Sequence, residues 1–414
     1  MTPVTHAQAR RRRTFTALMS VSVLALIVIL WPKGQSDQLA APSRTAPAVS
    51  STGTQAPSSQ PLPAWLAWMS GGFPSTFRHR IGSADGLTRT VVVAGDTRWM
   101  TASHDASGDV VDEPTPPYMI PLDAFAVEPT EFAPFLPSDQ RDAIVTALEK
   151  GEAVLGQTSS ELRRLGPGGS LSFGNVTVPV GAVAPDDVVG WSEMLVNRDV
   201  GRRLGITDER YLLAFADPAM TLPHFTTDVR SLLPAGSYLR TVPPGGTRFV
   251  RVASGVNPPV VMKTVFGEFD AYPRTDDPAY LNMDPAWYDA HIRTRTVPLL
   301  GAVTCNEQLF PALIGALTDV EAAGLVGAIH VYSGCYAART VARSTTAPPS
   351  NHAYGAAIDI NAPENPYGST PTMNRGVVKI FERWGFDWGG NFLIPDGMHF
   401  EYRTPPAMRD GGSR

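Results

Sequence analysis

The chain has 414 residues, room for two or three domains that each bury a core. Hydrophobic residues make up 43% and charged residues only 18%, while 37 Gly and 38 Pro indicate many turns or a Pro-rich linker. A net charge of −5 excludes a basic face for nucleic acid, and two cysteines exclude a disulfide-dense scaffold and a multi-cysteine metal site.

The N-terminus opens with a basic tail, residues 1–13, that ends in Arg10, Arg11, Arg12 and Arg13. Thr14–Trp31 follows without a charged residue, and at ~1.5 Å per residue a helix of that length just spans a bilayer core. The arginines on one flank predict a cytoplasmic N-terminus and a single-pass membrane anchor. A cleaved signal peptide is the alternative, and either reading exports the remainder. Residues 32–63 are rich in Pro, Ser, Thr and Ala, with no apolar period, and read as an extended linker.

Residues 64–290 read as an α+β domain of unknown role. Thr88–Ala94 and Thr97–Ala102 flank Gly95-Asp96, and Ser170–Phe173 and Val176–Val180 flank Gly174-Asn175; both pairs predict hairpins. Ser138 is a candidate cap for a helix through Lys150, and Asp186–Asn197 is a second candidate helix. Tyr211–Phe215 and Val260–Phe266 read as strands. No nucleotide-binding loop is present.

The chemistry-bearing residues cluster in residues 291–405, ahead of a short tail, 406–414. Leu309, Leu313, Leu317 and Val320 recur at helical spacing before Gly324. A second helix is expected from Thr372 to Trp384, and short strands at Ala328–Tyr332 and Met398–Glu401. Two neutral imidazoles and one carboxylate, His352, His399 and Asp359, are a ligand set that leaves zinc one position for water. His352 and Asp359 are seven residues apart, a spacing that suits a loop feeding a strand. Gly355-Ala356-Ala357 between them is small enough for close backbone approach.

This region resembles the M15 family of zinc peptidases, which includes D-alanyl-D-alanine carboxypeptidases and L-alanyl-D-glutamate endopeptidases. The pattern S-x-H-x-x-G-x-A-x-D, then D/E-x-x-H-F, is met by Ser350, His352, Gly355, Ala357 and Asp359, then Asp396, His399 and Phe400. The resemblance covers about Val297 to Pro405. It implies an α+β peptidase domain with a small antiparallel sheet, one Zn²⁺ held by His352, Asp359 and His399, and Asp396 as general base. Glu401 is the rival base, or else orients an imidazole from behind. Arg339 matches the family's arginine that holds the scissile carbonyl oxygen, with Arg343 the other candidate. Trp388 either walls the cleft or fills the core, and Ser350 belongs to the ligand loop. In an exported protein Cys305 and Cys335 are expected to form a disulfide, free thiols being the alternative.

The function expected is hydrolysis of the peptide stems of bacterial peptidoglycan by a membrane-anchored, extracytoplasmic zinc metallopeptidase. A non-catalytic wall-binding or signalling module with structural zinc is the alternative. The partner expected is the stem peptide, with no nucleic acid involved. Which peptide bond is cut is left open.

Overall fold

A computed structural model describes residues 64–69, 71–245, 257–345 and 347–403. The largest feature is an eleven-stranded sheet. Its strands run in the order Leu239–Val242, Trp65–Met69, Glu209–Ala216, Leu87–Met100, Ile120–Val127, Met194–Asn197, Ala153–Gly156, Val176–Ala184, Ser170–Phe173, Ala102–His104 and Val110–Asp112. Two neighbouring pairs are parallel, Ile120–Val127 with Met194–Asn197 and Ala153–Gly156 with Val176–Ala184. Parallel neighbours need crossover segments, and these carry the helices Arg141–Glu149 and Gln157–Arg163.

Both faces of the sheet centre are covered, as the period-2 alternation of strand side chains requires. Val91 and Val93 point to one side and pack with Phe125, Phe132, Ile144 and Leu148. Val92 points to the other and packs with Phe77, Ile81, Phe225 and Val229. The neighbouring strand Ile120–Val127 is buried at every position, as a strand covered on both faces should be.

Farther along the chain lies a four-stranded antiparallel sheet in the order Tyr332–Gly334, Ala357–Ile360, His399–Tyr402, Phe386–Trp388. The helices Phe310–Ala322 and Arg375–Arg383 cover one face of it, burying Leu313, Leu317, Val377 and Phe381 against Ile358, Ile360 and Phe400. Between the two sheets, Lys263 is buried, and its ammonium meets the Pro121 carbonyl and Glu193 at 2.7 Å and Glu268 at 2.8 Å. Arg163, also buried, completes the network at 3.1 Å from Glu193 and 2.6 Å from Glu268. Three of the four charges are buried and Glu268 is partly so, an arrangement that is tolerable because each faces an opposite charge.

These observations correct the expected fold class. In place of an α+β arrangement of a membrane helix, a modest middle domain and a small zinc domain, the described residues are dominated by a large mixed sheet with helices. No helix among the described residues is long and apolar enough to cross a membrane. The expected basic tail 1–13, transmembrane segment 14–31, linker 32–63 and tail 406–414 lie outside the described residues.

Local corrections have local reasons. Gly95-Asp96 is not a turn, because one 14-residue strand, Leu87–Met100, runs straight through it. The Phe125 ring occupies the space beside Gly95, where an added Cβ would lie 2.8 Å from it, so the glycine marks close approach within a sheet. Val260–Phe266 is helical, Pro259–Phe266, with Pro at the first turn and Val260, Met262, Lys263 and Phe266 buried. Asp186–Asn197 ends in the strand Met194–Asn197, and the helix begins only at Arg198, capped by the Asn197 side chain accepting the Val200 amide. The helix expected from Ser138 begins at Arg141. Of Ala328–Tyr332, Ala328 ends the 3₁₀ turn Val326–Ala328 and the strand begins only at Tyr332, Tyr332–Gly334.

Candidate metal centre

The strands Ala357–Ile360 and His399–Tyr402 pair so that Asp359 lies directly opposite His399. His352 comes from the preceding loop. There the Ser350 hydroxyl accepts the His352 amide at 3.3 Å, and the His352 carbonyl takes the amides of Ala337 and Gly355, both at 3.0 Å. Gly355 itself has φ +64, and a Cβ there would lie 2.5 Å from the Asn306 nitrogen, so the loop closes only with glycine. Ala353, Tyr354 and Ala356 sink into a core with Phe266, Phe269 and Trp287, anchoring the loop from beneath.

The three side chains converge. His352 Nε2 and His399 Nδ1 are 3.2 Å apart, and Asp359 Oδ1 lies 3.3 Å from the first and 3.1 Å from the second. A tetrahedral zinc with ligand bonds of ~2.0–2.1 Å requires its ligand atoms about 3.3 Å apart. The donor set and its spacing therefore fit a zinc ion. The outer nitrogens are already engaged. His352 Nδ1 donates to the Cys335 carbonyl at 2.7 Å, and His399 Nε2 donates to Glu401 at 3.3 Å. Each imidazole thereby presents its other nitrogen, His352 Nε2 or His399 Nδ1, to the cluster.

The charged forms of these groups support one another. Burial opposes ionisation of Asp359, but the hydrogen bonds and charges of His352 and His399 hold its carboxyl well below the usual range. Burial likewise opposes a charged His399, yet Asp359 and Glu401 push it up to about 10. Glu401 is itself buried and accepts the Asn351 side-chain amide at 2.6 Å. It stands behind His399, on the nitrogen away from the cluster, which favours the orienting role over the rival one.

Asp396 lies beside the centre. Its amide donates to the Gly389 carbonyl at 2.8 Å, its carbonyl accepts the His399 amide at 3.1 Å, and its Oδ1 is buried without a hydrogen-bond partner among the described residues. Burial raises its pKa, and it feels the charges of His399, Asp359, His352 and Arg339. Arg339 is half-buried, and its Nη1 donates to the Thr340 carbonyl at 3.3 Å. Burial lowers its pKa, while Asp359 and Asp396 act the other way. Arg343 is exposed, on a strained turn where Ala342 and Arg343 both have positive φ.

Trp388 does not wall the cleft. It is 1% exposed, its indole donates to the Gly397 carbonyl at 2.9 Å, and the Arg375 guanidinium lies 4.4 Å over its ring. It holds the turn behind Asp396 from the core. Cys305 and Cys335 are joined as a disulfide with Cα atoms 5.5 Å apart, next to the carbonyl that holds His352. Residues absent from the sequence reading are Asn351, which fixes Glu401, and Tyr354. Only the packing of the ligand loop reveals them.

Three converging side chains, a neighbouring carboxylate with an unpartnered oxygen and an arginine within reach of their charges make up a candidate hydrolytic metal centre. Residues 343–402 match an M15 peptidase family model described as D-alanyl-D-alanine carboxypeptidase. The match includes His352, Asp359, Asp396 and His399 and supports a peptidase of that type over this short region. Arg339 and most of the chain fall outside it. No curated protein matches the chain. Similar solved structures include the periplasmic region of MacB from Actinobacillus actinomycetemcomitans, at 7% identity over 44% of this chain and 90% of that one, TM-score 0.31. The extracellular domain of the noncanonic ABC-type transporter YknZ from Gram-positive bacteria is similar at 13% identity over 41% and 91%, TM-score 0.28. A domain of a putative permease protein from Porphyromonas gingivalis is similar at 13% over 43% and 86%, TM-score 0.27. At such TM-scores these likenesses say nothing of function.

Proposed function

We propose that the chain is an extracytoplasmic zinc peptidase that hydrolyses a peptide bond in the stem peptides of peptidoglycan. The observation that carries this reading is the mutual spacing of 3.1–3.3 Å among His352 Nε2, His399 Nδ1 and Asp359 Oδ1, with Asp396 beside them. The matched family description supports the substrate class. The Cys305–Cys335 disulfide supports an oxidising compartment outside the cytoplasm.

His352, Asp359 and His399 would hold the ion, which when bound polarises a carbonyl and acidifies water toward neutrality. The remaining chemistry belongs to the chain. Asp396 takes a proton from the attacking water through its open Oδ1, and the C–O bond forms as that proton leaves. Asp396 then delivers the proton to the departing amine as the C–N bond breaks. Arg339 faces the carbonyl oxygen on which negative charge develops, a contribution of typically ~2.7–4 kcal/mol for one such donor.

The test is digestion of purified peptidoglycan by the zinc-loaded protein, with mass analysis of the released fragments. Release of amino acids or stem fragments that stops in Asp396→Asn is the expected result. Unchanged peptidoglycan with zinc bound would instead mark an inert zinc module.

A further inference from the structure

Arg339 is not held by the four-stranded sheet. A segment from much earlier in the chain grips it on both sides. The Leu281 amide donates to the Ala338 carbonyl at 2.9 Å, and the Thr340 amide donates to the Ala279 carbonyl at 2.9 Å. The buried Thr340 hydroxyl adds a bond to the same Ala279 carbonyl at 3.2 Å. Between them Tyr280 pairs with Arg339 as an antiparallel bridge. This bond pattern makes them a non-hydrogen-bonded pair, in which opposed side chains share a face and approach most closely.

Tyr280 sits at the end of a hairpin, Ala271–Pro273 with Leu281–Met283, that is closed by the Arg274 amide on the Tyr280 carbonyl at 2.8 Å. The hairpin's first strand exchanges two bonds with Met119, at 3.0 and 2.9 Å, one residue before the buried sheet strand Ile120–Val127. On the far side of Arg339, its carbonyl accepts the Ser350 amide at 2.9 Å, and His352 follows two residues later. Arg339 is thus a rung between the large sheet and the metal-ligand loop.

The geometry points to Tyr280 and its flanking ladder as positioning residues for Arg339: the large-sheet region, through this hairpin, sets where the guanidinium meets the reacting carbonyl. This rests on the arginine's part in the proposed hydrolysis. The hairpin lies outside the residues that match the peptidase family model, so the site is assembled from both parts of the chain.

The test uses the full chain with Tyr280→Ala and Thr340→Val, and with Tyr280→Phe and Thr340→Ser as conservative partners. Misplacing a group acting on the transition state should lower kcat roughly five- to tenfold in the first two, with KM and zinc affinity unchanged. The conservative partners should recover most of it. In an Arg339→Ala background neither variant should reduce kcat further, because the interaction they act through is gone. An undiminished loss in that background would overturn the inference. A second readout does not depend on hydrolysis. Phenylglyoxal should modify Arg339 severalfold faster in Tyr280→Ala than in the parent, and an unchanged rate would overturn the inference even if the peptidase reading fails.

Discussion

Breaking the Cys305–Cys335 bond should cost much of the stability of the C-terminal region and loosen the candidate metal site with it. The bridge closes a loop of 30 residues. In the chain-entropy treatment, ~2.1 + 1.5R ln n cal/mol/K gives about 12 cal/mol/K for that loop, or ~3.6 kcal/mol at 25 °C. Both sulfurs are buried in the core formed with Leu309, Leu313 and Ile358, so Cys305→Ala/Cys335→Ala adds a small packing loss to the entropic one. The Cys335 carbonyl also holds His352 Nδ1 at 2.7 Å. Loss of the crosslink therefore frees the group that aims one ligand. The assay is urea denaturation followed by tryptophan fluorescence on parent and double variant, with zinc affinity measured by chelator competition on both. A destabilisation of about 3–4 kcal/mol and weaker zinc binding are expected. A change below ~1 kcal/mol would refute the loop-closure reasoning, and full zinc affinity would refute the link to His352.

Three further outcomes follow from the geometry. Glu401→Gln removes the charge behind His399 Nε2 and should weaken zinc binding by roughly 10–100-fold, read by chelator competition. In Gly389→Ala the new methyl would lie 2.6 Å from the Asp396 carbonyl oxygen and 3.1 Å from the Cβ atoms of Asp396 and His399. Peptide release should fall on the order of tenfold or more, while circular dichroism stays unchanged. Asp96 is buried, and desolvation raises its pKa from 3.8 to about 6 against the charges of Arg98 and Arg210. The folded state thus binds this proton more tightly than the unfolded one. The resulting stabilisation is complete below about pH 4 and is lost as pH rises through about 6. Denaturation midpoints across that window should show this component in the parent and not in Asp96→Asn.

What the sequence discloses follows from how local each signal is. The helix Phe310–Ala322 is legible because Leu313, Leu317 and Val320 repeat at helical spacing and all face one core. The convergence of His352, Asp359 and His399 is legible because a loop-then-strand spacing brings such side chains together. Where burial decides, local preference misleads. Val260–Phe266 is rich in β-branched residues, yet two prolines at its start and the contacts of Lys263 make it a helix. The strand Ile120–Val127 hides behind Pro121 and Asp123, which break the apolar run although both are buried. The Arg163, Glu193, Lys263 and Glu268 network draws on three separate places in the chain, and the pairing of Tyr280 with Arg339 joins residues 59 apart. No spacing rule connects such partners. Gly95-Asp96 carries the mark of a turn, while its meaning is the Phe125 ring beside it.

The proposed function requires His352, Asp359 and His399 to bind one divalent ion together. The direct measurement is the zinc content of the purified, chelator-treated and reloaded chain, beside His352→Ala and Asp359→Ala. One zinc per chain in the parent, lost in both variants while the fold persists, is the predicted result. A parent that takes up no zinc, or variants that retain it, would contradict it.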